Sequence, residues 1–420
     1  MKVKYCDVAI IGGGPAGLAS ALAAKEQGAE KVLIIERDSS LGGILKQCIH
    51  PGFGLKRFNE ELTGPEYANK FTEKVKTSDI EVLLNTMVLE LHENKEIITT
   101  SSEEGITKIV PKAVVLSMGC RERTRSNIYI PGTRCAGIMT AGAAQRLINV
   151  QGRMVGKRVV ILGSGDIGMI MARRLTLEGA KVEAVVEIMP YLAGLKRNKV
   201  QCLDDFGIEL LLSHTITDIN GNKRVESVQI SKVDENMKVI KGTERIIECD
   251  TVLLSVGLIP ENELTKMAEI ELSPVTNGAI VNQNMETSIK GIFACGNVLH
   301  VNDLVDNVSA ESEIAGKYAA KYAKENKDES EITINNLPGK NVRYINPQKI
   351  SISKDIEDVV LNFRVSKPME KVIIKAISGG RELYSKKALK VSPGEMESIK
   401  LKSEIFENIK EDIVVEVIGG

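Results

Sequence analysis

Two apolar runs along this chain share one design. Asp7-Val-Ala-Ile-Ile11 and Arg158-Val-Val-Ile-Leu162 are short, almost continuously hydrophobic, and each runs straight into a glycine-rich turn. Apolar character without alternation predicts strands buried on both faces, as in a parallel sheet. Small residues follow each turn at helical spacing. A second apolar run comes next (Val32 to Ile35, Val182 to Val186), and each leads to an acidic residue, Glu36 and Glu187. Strand, turn, helix and strand are therefore predicted twice. Further along, Val114-Val-Leu-Ser-Met-Gly119 and Asp250-Thr-Val-Leu-Leu-Ser-Val-Gly257 read as strands ending in a small-x-Gly turn. Gly291-Ile-Phe-Ala-Cys-Gly-Asn297 reads as a short buried strand, followed by a helical run from Ala310 to Ala323. This order predicts an α/β protein with two Rossmann-like domains, the second inserted in the first: residues 1–120 with 256–330, and residues 121–255.

The pattern then changes. Residues 324–345 are polar and read as a linker or exposed loop. From Lys349 short alternating segments follow, at Lys349–Ser353, Val359–Val365, Lys371–Ile377 and Ile413–Ile418, with turn signals at Ser378-Gly-Gly and Ser392-Pro-Gly. They predict a small C-terminal β-sandwich-like module over residues 340–420. It carries no cluster of titratable side chains, so the expectation is an accessory packing or docking module that folds separately and is dispensable for chemistry.

The two glycine turns carry the chemistry. Gly12-x-Gly14-x-x-Gly17 and Gly163-x-Gly165-x-x-Gly168 keep identical spacing through Gly28 and Gly179 to Glu36 and Glu187. In a dinucleotide site the first glycine makes the tight turn and the second lets backbone approach the pyrophosphate. The helix N-terminus adds partial positive charge, and the acidic residue accepts ribose hydroxyls. Two complete copies predict two dinucleotides.

Charge and cysteine content narrow the setting. Lys+Arg number 55 against Asp+Glu 56, for a net charge of −1, so no basic excess points to nucleic acid. No apolar stretch is long enough to span a bilayer, and Pro15 within the first glycine turn argues against a signal peptide. The 7 cysteines are scattered without a C-x-x-C pair, which disfavours a metal site or disulfide framework. A cytoplasmic protein is expected, and assembly with further copies of itself stays open.

These motifs, in this order, resemble the pyridine nucleotide–flavin oxidoreductases, most closely the thioredoxin-reductase-like branch. Leu41-Gly-Gly-Ile-Leu45 and Thr63-Gly-Pro-Glu-Tyr67 carry the likeness, the first beside the flavin and the second opening a helix. The resemblance implies that Gly12, Gly14, Pro15, Ala16, Gly17, Glu36, Arg37, Gly43, Val88, Gly119, Gly296 and Asn297 hold FAD. It implies that Gly163, Gly165, Asp166, Ile167, Gly168, Glu187 and Gly257 hold NAD(H). Two departures stand out. Where that branch has C-x-x-C, this chain reads Cys135-Ala-Gly-Ile-Met-Thr, so internal dithiol exchange is not expected. Asn297 stands where an Asp usually bonds the flavin ribityl chain; its carbonyl oxygen can still accept.

Lys46-Gln-Cys-Ile-His50, the Met139-Thr-Ala-Gly-Ala-Ala-Gln stretch and Asn297-Val-Leu-His-Val-Asn-Asp resemble more narrowly the flavoprotein subunits of multi-subunit dehydrogenases. These include sarcosine oxidase alpha, hydrogen cyanide synthase and the flavoprotein associated with glycerol-3-phosphate dehydrogenase. The resemblance implies a small cysteine-motif protein and a partner dehydrogenase subunit. The alternatives are a free-standing NADH oxidase or small-molecule reductase, and a non-catalytic docking subunit. Cys48, His50 and His300 are the candidate catalytic side chains, each weighed against a packing or structural role. Cys120 and Cys295 read as packing residues. Glu187, with no arginine directly after it, favours NAD over NADP; Lys196 and Arg197 lie too far along the sequence to be assigned to a phosphate.

Overall fold

The computed structural model describes residues 1–325 and 332–419; part of the expected linker lies outside them. The chain divides into two compact units, Met1–Cys120 with Pro260–Gly420, and Arg121–Ile259.

In the first unit the main sheet runs, among the described residues, in the order Glu81–Leu83, Val32–Ile35, Lys2–Ile11, Gly105–Leu116, Ile97–Ser101, Thr86–Leu91. Ile292–Ala294 also pairs with Gly105–Leu116. The central strands are parallel and in register, Ile11 beside Ile35 on one side and Leu116 on the other, with Ala294 beside Leu116. Their carboxyl ends therefore form one rim, the place where open α/β sheets take ligands. The helices Pro15–Glu26 and Val305–Glu325 pack closely, Gly316 against Ser20, and many of their buried residues are small, Ala19 and Ala24 on one and Ala315 and Ala319 on the other. A Cβ on Gly316 would lie 2.0 Å from the Ser20 carbonyl oxygen.

The second unit repeats the design. Ile138–Thr140, Thr251–Leu254, Arg158–Leu162, Lys181–Glu187 and Leu210–Leu212 form a parallel sheet in that order. His214–Gly221, Val225–Lys232 and Arg245–Glu248 form an antiparallel sheet. The central parallel strands of both units are all but free of polar residues where they are buried, which is why they read as unbroken apolar runs.

The C-terminal module is two sheets. One runs Lys349–Ile352, Ile332–Pro338, Ile413–Gly419, Met369–Ser378, Arg381–Val391; the other runs Val342–Asn346, Val359–Val365, Glu397–Leu401. Ile334, Ile350, Leu361, Phe363, Ile374 and Val415 are among the residues buried in its core. Two strands, Ile332–Pro338 and Val342–Asn346, occupy what the sequence suggested was linker. The first is obscured because Asn336 points inward, where its Nδ2 donates to the Pro347 carbonyl at 2.8 Å. Arg381–Val391 is obscured by its lysines, which suit a sheet edge.

The module also belongs to the first compact unit. The side chain of Gln348 accepts from the Val281 N–H at 3.0 Å, and Gln283 accepts from the Ser351 N–H at 2.9 Å. Among the described residues no helix is long and apolar enough to cross a membrane.

Candidate functional site: two dinucleotide turns

The strand ending at Ile11 passes into Gly12, whose φ of +104° is open to glycine and strained for other residues. A Cβ there would sit 2.6 Å from the Ser117 carbonyl oxygen, and a Cβ on Gly17 would sit 1.8 Å from the Gly12 carbonyl oxygen. These two glycines serve the packing of turn, strand and helix. Gly14 differs. Its φ of −76° suits any residue, and a Cβ would meet only the Gly43 Cα, 3.9 Å away. Its face is open. The helix Pro15–Glu26 that follows has Pro15 in its first turn, no acidic residue there and no side-chain cap. Its partial positive end is therefore available to an anion.

Glu36 is buried at the end of Val32–Ile35. Its Oε2 accepts from the Gly13 N–H at 2.7 Å and its Oε1 from the Asp38 N–H at 2.8 Å. A carboxylate has roughly four acceptor positions, so capacity remains for ribose hydroxyls. Ser117 Oγ donates to the Ile11 carbonyl at 2.8 Å, tying the neighbouring strand end to the turn. Beyond it, Gly119 has φ +74° and no heavy atom within 4 Å of a Cβ position.

The second turn follows the same rules. Gly163 (φ +97°) would place a Cβ 2.1 Å from the Ser255 carbonyl oxygen, and Gly165 would place one 3.2 Å from Ser255 Oγ. Glu187 is buried; its Oε2 accepts from the Ser164 N–H at 2.8 Å and Ser164 Oγ at 2.7 Å, and its Oε1 from the Met189 N–H at 2.9 Å. Gly257 (φ +101°) is open on its Cβ side apart from the Arg123 side chain at 3.9 Å. The helix Asp166–Leu177 differs from its counterpart in carrying an acid in its first turn. Asp166 Oδ1 accepts from the Leu195 N–H at 2.8 Å and Asn198 Nδ2 at 2.7 Å, and the Gly194 N–H donates to the Ser164 carbonyl at 3.0 Å. The loop after Glu187 thus folds back onto the turn. It brings Lys196 and Arg197, remote in sequence, to the start of a helix anchored at Asp166.

Three signatures that are distant in sequence meet at the first turn. The Gly42 N–H donates to the Gly13 carbonyl at 2.9 Å, and a Cβ on Gly43 would lie 2.9 Å from Gly14 Cα. Gly296 (φ +74°) would place a Cβ 2.8 Å from that of Ala16. Residues 12–17, 42–43 and 296 therefore surround one rim, with the backbone at Gly14 left open.

The candidate catalytic side chains sit differently. Cys48 packs on Gly64, the start of the helix Gly64–Lys76, and its Sγ donates to the Ile44 carbonyl at 3.4 Å. Burial pushes its thiol up to about 12, so at neutral pH it is protonated and a poor nucleophile. His50 Nδ1 lies 3.1 Å from the Pro51 carbonyl oxygen, with its ring against Phe53. His300 is 1% exposed, and its Nε2 lies 2.9 Å from Glu311 Oε2. Asn297 Oδ1 accepts from the Asn302 N–H at 3.0 Å and its Nδ2 points to Cys120 Sγ at 3.7 Å, so the amide braces its own loop. Cys295 is fully buried, as a packing residue would be. Glu311 belongs to no motif and is absent from the residues predicted above, yet its Oε1 accepts from the Gly296 N–H at 2.6 Å. One signal does mark it in the sequence: Glu311 falls on the stripe of Val308, Ser312, Ala315 and Ala319, an acid on a buried helix face.

Comparison with known proteins agrees with this geometry. Ferredoxin–NADP reductase 2 of Oceanobacillus iheyensis is 28% identical over 312 residues, 71% of this chain and 87% of that protein. One of the subunits of opine oxidase from Agrobacterium tumefaciens is 24% identical over 318 residues, 70% of this chain and 61% of its own length. The crystal structure of thioredoxin reductase from T. acidophilum matches with a TM-score of 0.62 at 22% identity, over 76% of this chain and 98% of that one, and shows the same fold. The chain is an oxidoreductase, and its cofactors are FAD and a nicotinamide dinucleotide. The family model for pyridine nucleotide-disulphide oxidoreductases matches residues 6–312, and with two dinucleotide turns built on parallel-sheet rims the chain belongs to that family.

Proposed function

We propose that FAD occupies the first turn and NAD(H) the second, and that the chain is the electron-transfer subunit of a multi-subunit dehydrogenase of the glycerol-3-phosphate type. The observation that carries the assignment is the approach of a third, remote segment to the first rim: Gly296 rests on Ala16 there, beside Gly43 on Gly14, whereas the contact of Gly42 on Gly13 has an equivalent at the second turn in Gly194 on Ser164. When bound, the cofactors supply the reaction, a hydride transfer between nicotinamide and flavin. The chain's residues position them. Gly14 and the free end of Pro15–Glu26 take the pyrophosphate of FAD, and Glu36 takes its adenosine ribose. Glu187 takes the ribose of NAD and disfavours the 2′-phosphate of NADP by charge repulsion.

The reading as part of an assembly is supported by the chain's thiols and by its relatives. No C-x-x-C pair precedes the second turn, so the chain lacks the disulfide that would accept the flavin's electrons at that position. The opine oxidase relative is by its name one component of an assembly. The partner is a dehydrogenase subunit together with a small cysteine-motif protein; a ferredoxin-like carrier is the rival acceptor, after the name of the O. iheyensis relative.

The test is an anaerobic titration of the purified chain with NADH and NADPH, followed by addition of a glycerol-3-phosphate-oxidising subunit. Flavin bleached preferentially by NADH, and exchange of electrons with that subunit, support the proposal. Rapid oxygen consumption by the chain alone points instead to a free-standing oxidase. A flavin that neither coenzyme reduces points to a docking subunit.

A further inference from the structure

We propose that Asn346, in the C-terminal module, is a positioning residue for the FAD site, acting through Glu311 on the Gly296 turn; the inference rests on the assignment of FAD to the first turn. Glu311 is 4% exposed, and a buried carboxylate is costly unless donors surround it. It has three. Oε1 accepts from the Gly296 N–H at 2.6 Å; Oε2 lies 2.9 Å from His300 Nε2 and accepts from Asn346 Nδ2 at 3.2 Å. Asn346 Nδ2 and His300 Nε2 are themselves 3.2 Å apart, two nitrogens gathered on one acceptor.

The arrangement is directional. With Oε2 held from two sides, Oε1 is aimed at the Gly296 N–H, and Gly296 in turn rests on Ala16 in the first turn of the fingerprint helix. Asn346 is itself fixed: it is 1% exposed and ends the strand Val342–Asn346, where it pairs with Asn362. Two further contacts from the module hold the segment between Gly296 and the helix Val305–Glu325. Arg364 donates to the Val301 carbonyl at 3.0 Å, and the Met396 N–H donates to Asp303 Oδ2 at 3.0 Å. The Tyr344 ring stands edge-on to His300 at 5.9 Å. The module is thus the back wall of the flavin rim, and Asn346 is the residue that reaches a carboxylate touching the cofactor turn. A hydrogen bond to a charged group, once lost, is worth about a tenfold change in an equilibrium it controls.

The test uses the full-length chain with Asn346→Ala and the isosteric Glu311→Gln. The measurements are the FAD dissociation constant, the shape of the flavin visible absorbance band, NADH binding, and the melting temperature of the FAD-free chain. The proposal expects each variant to bind FAD about tenfold more weakly, with an altered flavin band and unchanged NADH binding. A fall in melting temperature with unaltered FAD affinity and band shape would show a purely structural role and overturn it. Should Asn346→Ala fail to fold, Glu311→Gln decides by the same readings. If the parent chain retains no FAD, or retains it equally with Gly14→Ala, the assignment of the two turns has failed instead.

Discussion

Gly14→Ala separates the fold from the ligand with a single methyl group. At Gly12 the same change would drive a Cβ to 2.6 Å from a backbone oxygen at a φ of +104°, so damage to the fold would mask any effect on binding. At Gly14 the backbone already has φ −76° and ψ −172°, and the new Cβ would find only Gly43 Cα at 3.9 Å. The FAD-free chain should therefore keep its stability within about 0.5 kcal/mol, or gain slightly through a less flexible unfolded state. Bound FAD would meet the methyl where its pyrophosphate approaches the turn. Loss of one hydrogen bond to a charged group costs about 1.5–3 kcal/mol. At about 1.4 kcal/mol per decade, that weakens FAD roughly 10- to 150-fold. Calorimetric titration of FAD into the apo chain, beside its thermal melting curve, reads both quantities. Gly165→Ala (φ −65°) is the control and should spare FAD while weakening NADH. Unchanged FAD affinity in Gly14→Ala, or loss of FAD in Gly165→Ala, would refute the reasoning.

Glu187→Arg should shift coenzyme preference toward NADPH by removing the ribose acceptor and the repulsion together; an unaltered ratio of NADH to NADPH reduction rates counts against the role. Some general loss at that site is also expected, since Glu187 holds the Ser164 and Met189 N–H groups. Cys48→Ser should retain FAD and bleach with NADH at close to the parent rate, because a half-buried thiol raised to about 12 contributes no nucleophile; a drop of orders of magnitude with FAD still bound would make the thiol part of the chemistry. Burial raises the thiols of Cys6, Cys48, Cys249 and Cys295 from 9.0 to about 12. Between those values the unfolded chain binds fewer protons than the folded one, so their contribution, fully present below about pH 9, is lost as pH rises toward 12. Melting temperature should fall steadily above pH 9, and less steeply in Cys295→Ala; equal slopes would show that this thiol does not titrate as argued.

The two dinucleotide turns are legible in the sequence because their rules are local. Gly12, Gly17, Gly163 and Gly168 are demanded by contacts within a single strand–turn–helix unit and the strand end beside it, and the spacing to Glu36 and Glu187 is set by one helix and one strand. What stays hidden depends on partners far along the chain. Asn336 reads as a loop residue because the bond its buried Nδ2 makes is to Pro347, which lies in a separate turn. Asn297 is expected to face a ligand, and its oxygen also accepts from the Asn302 N–H, a bond that no motif marks. Lys196 and Arg197 are set aside by sequence distance, although Asp166 draws their helix back to the second turn. The module reads as dispensable because Asn346 and Arg364 carry no local sign that they meet Glu311 and Val301.

The two helix N-termini imply different residence times for their ligands. Pro15–Glu26 presents its positive end without a competing acid, so a pyrophosphate there receives the full attraction. Asp166–Leu177 begins with a carboxylate that already offsets part of that charge, and a loop hooked to Asp166 and Ser164 lies beside the turn. If the first turn holds the flavin as proposed, its cofactor should leave more slowly than the one at the second turn, the order required of a diffusible coenzyme when a single flavin is to serve a stream of them.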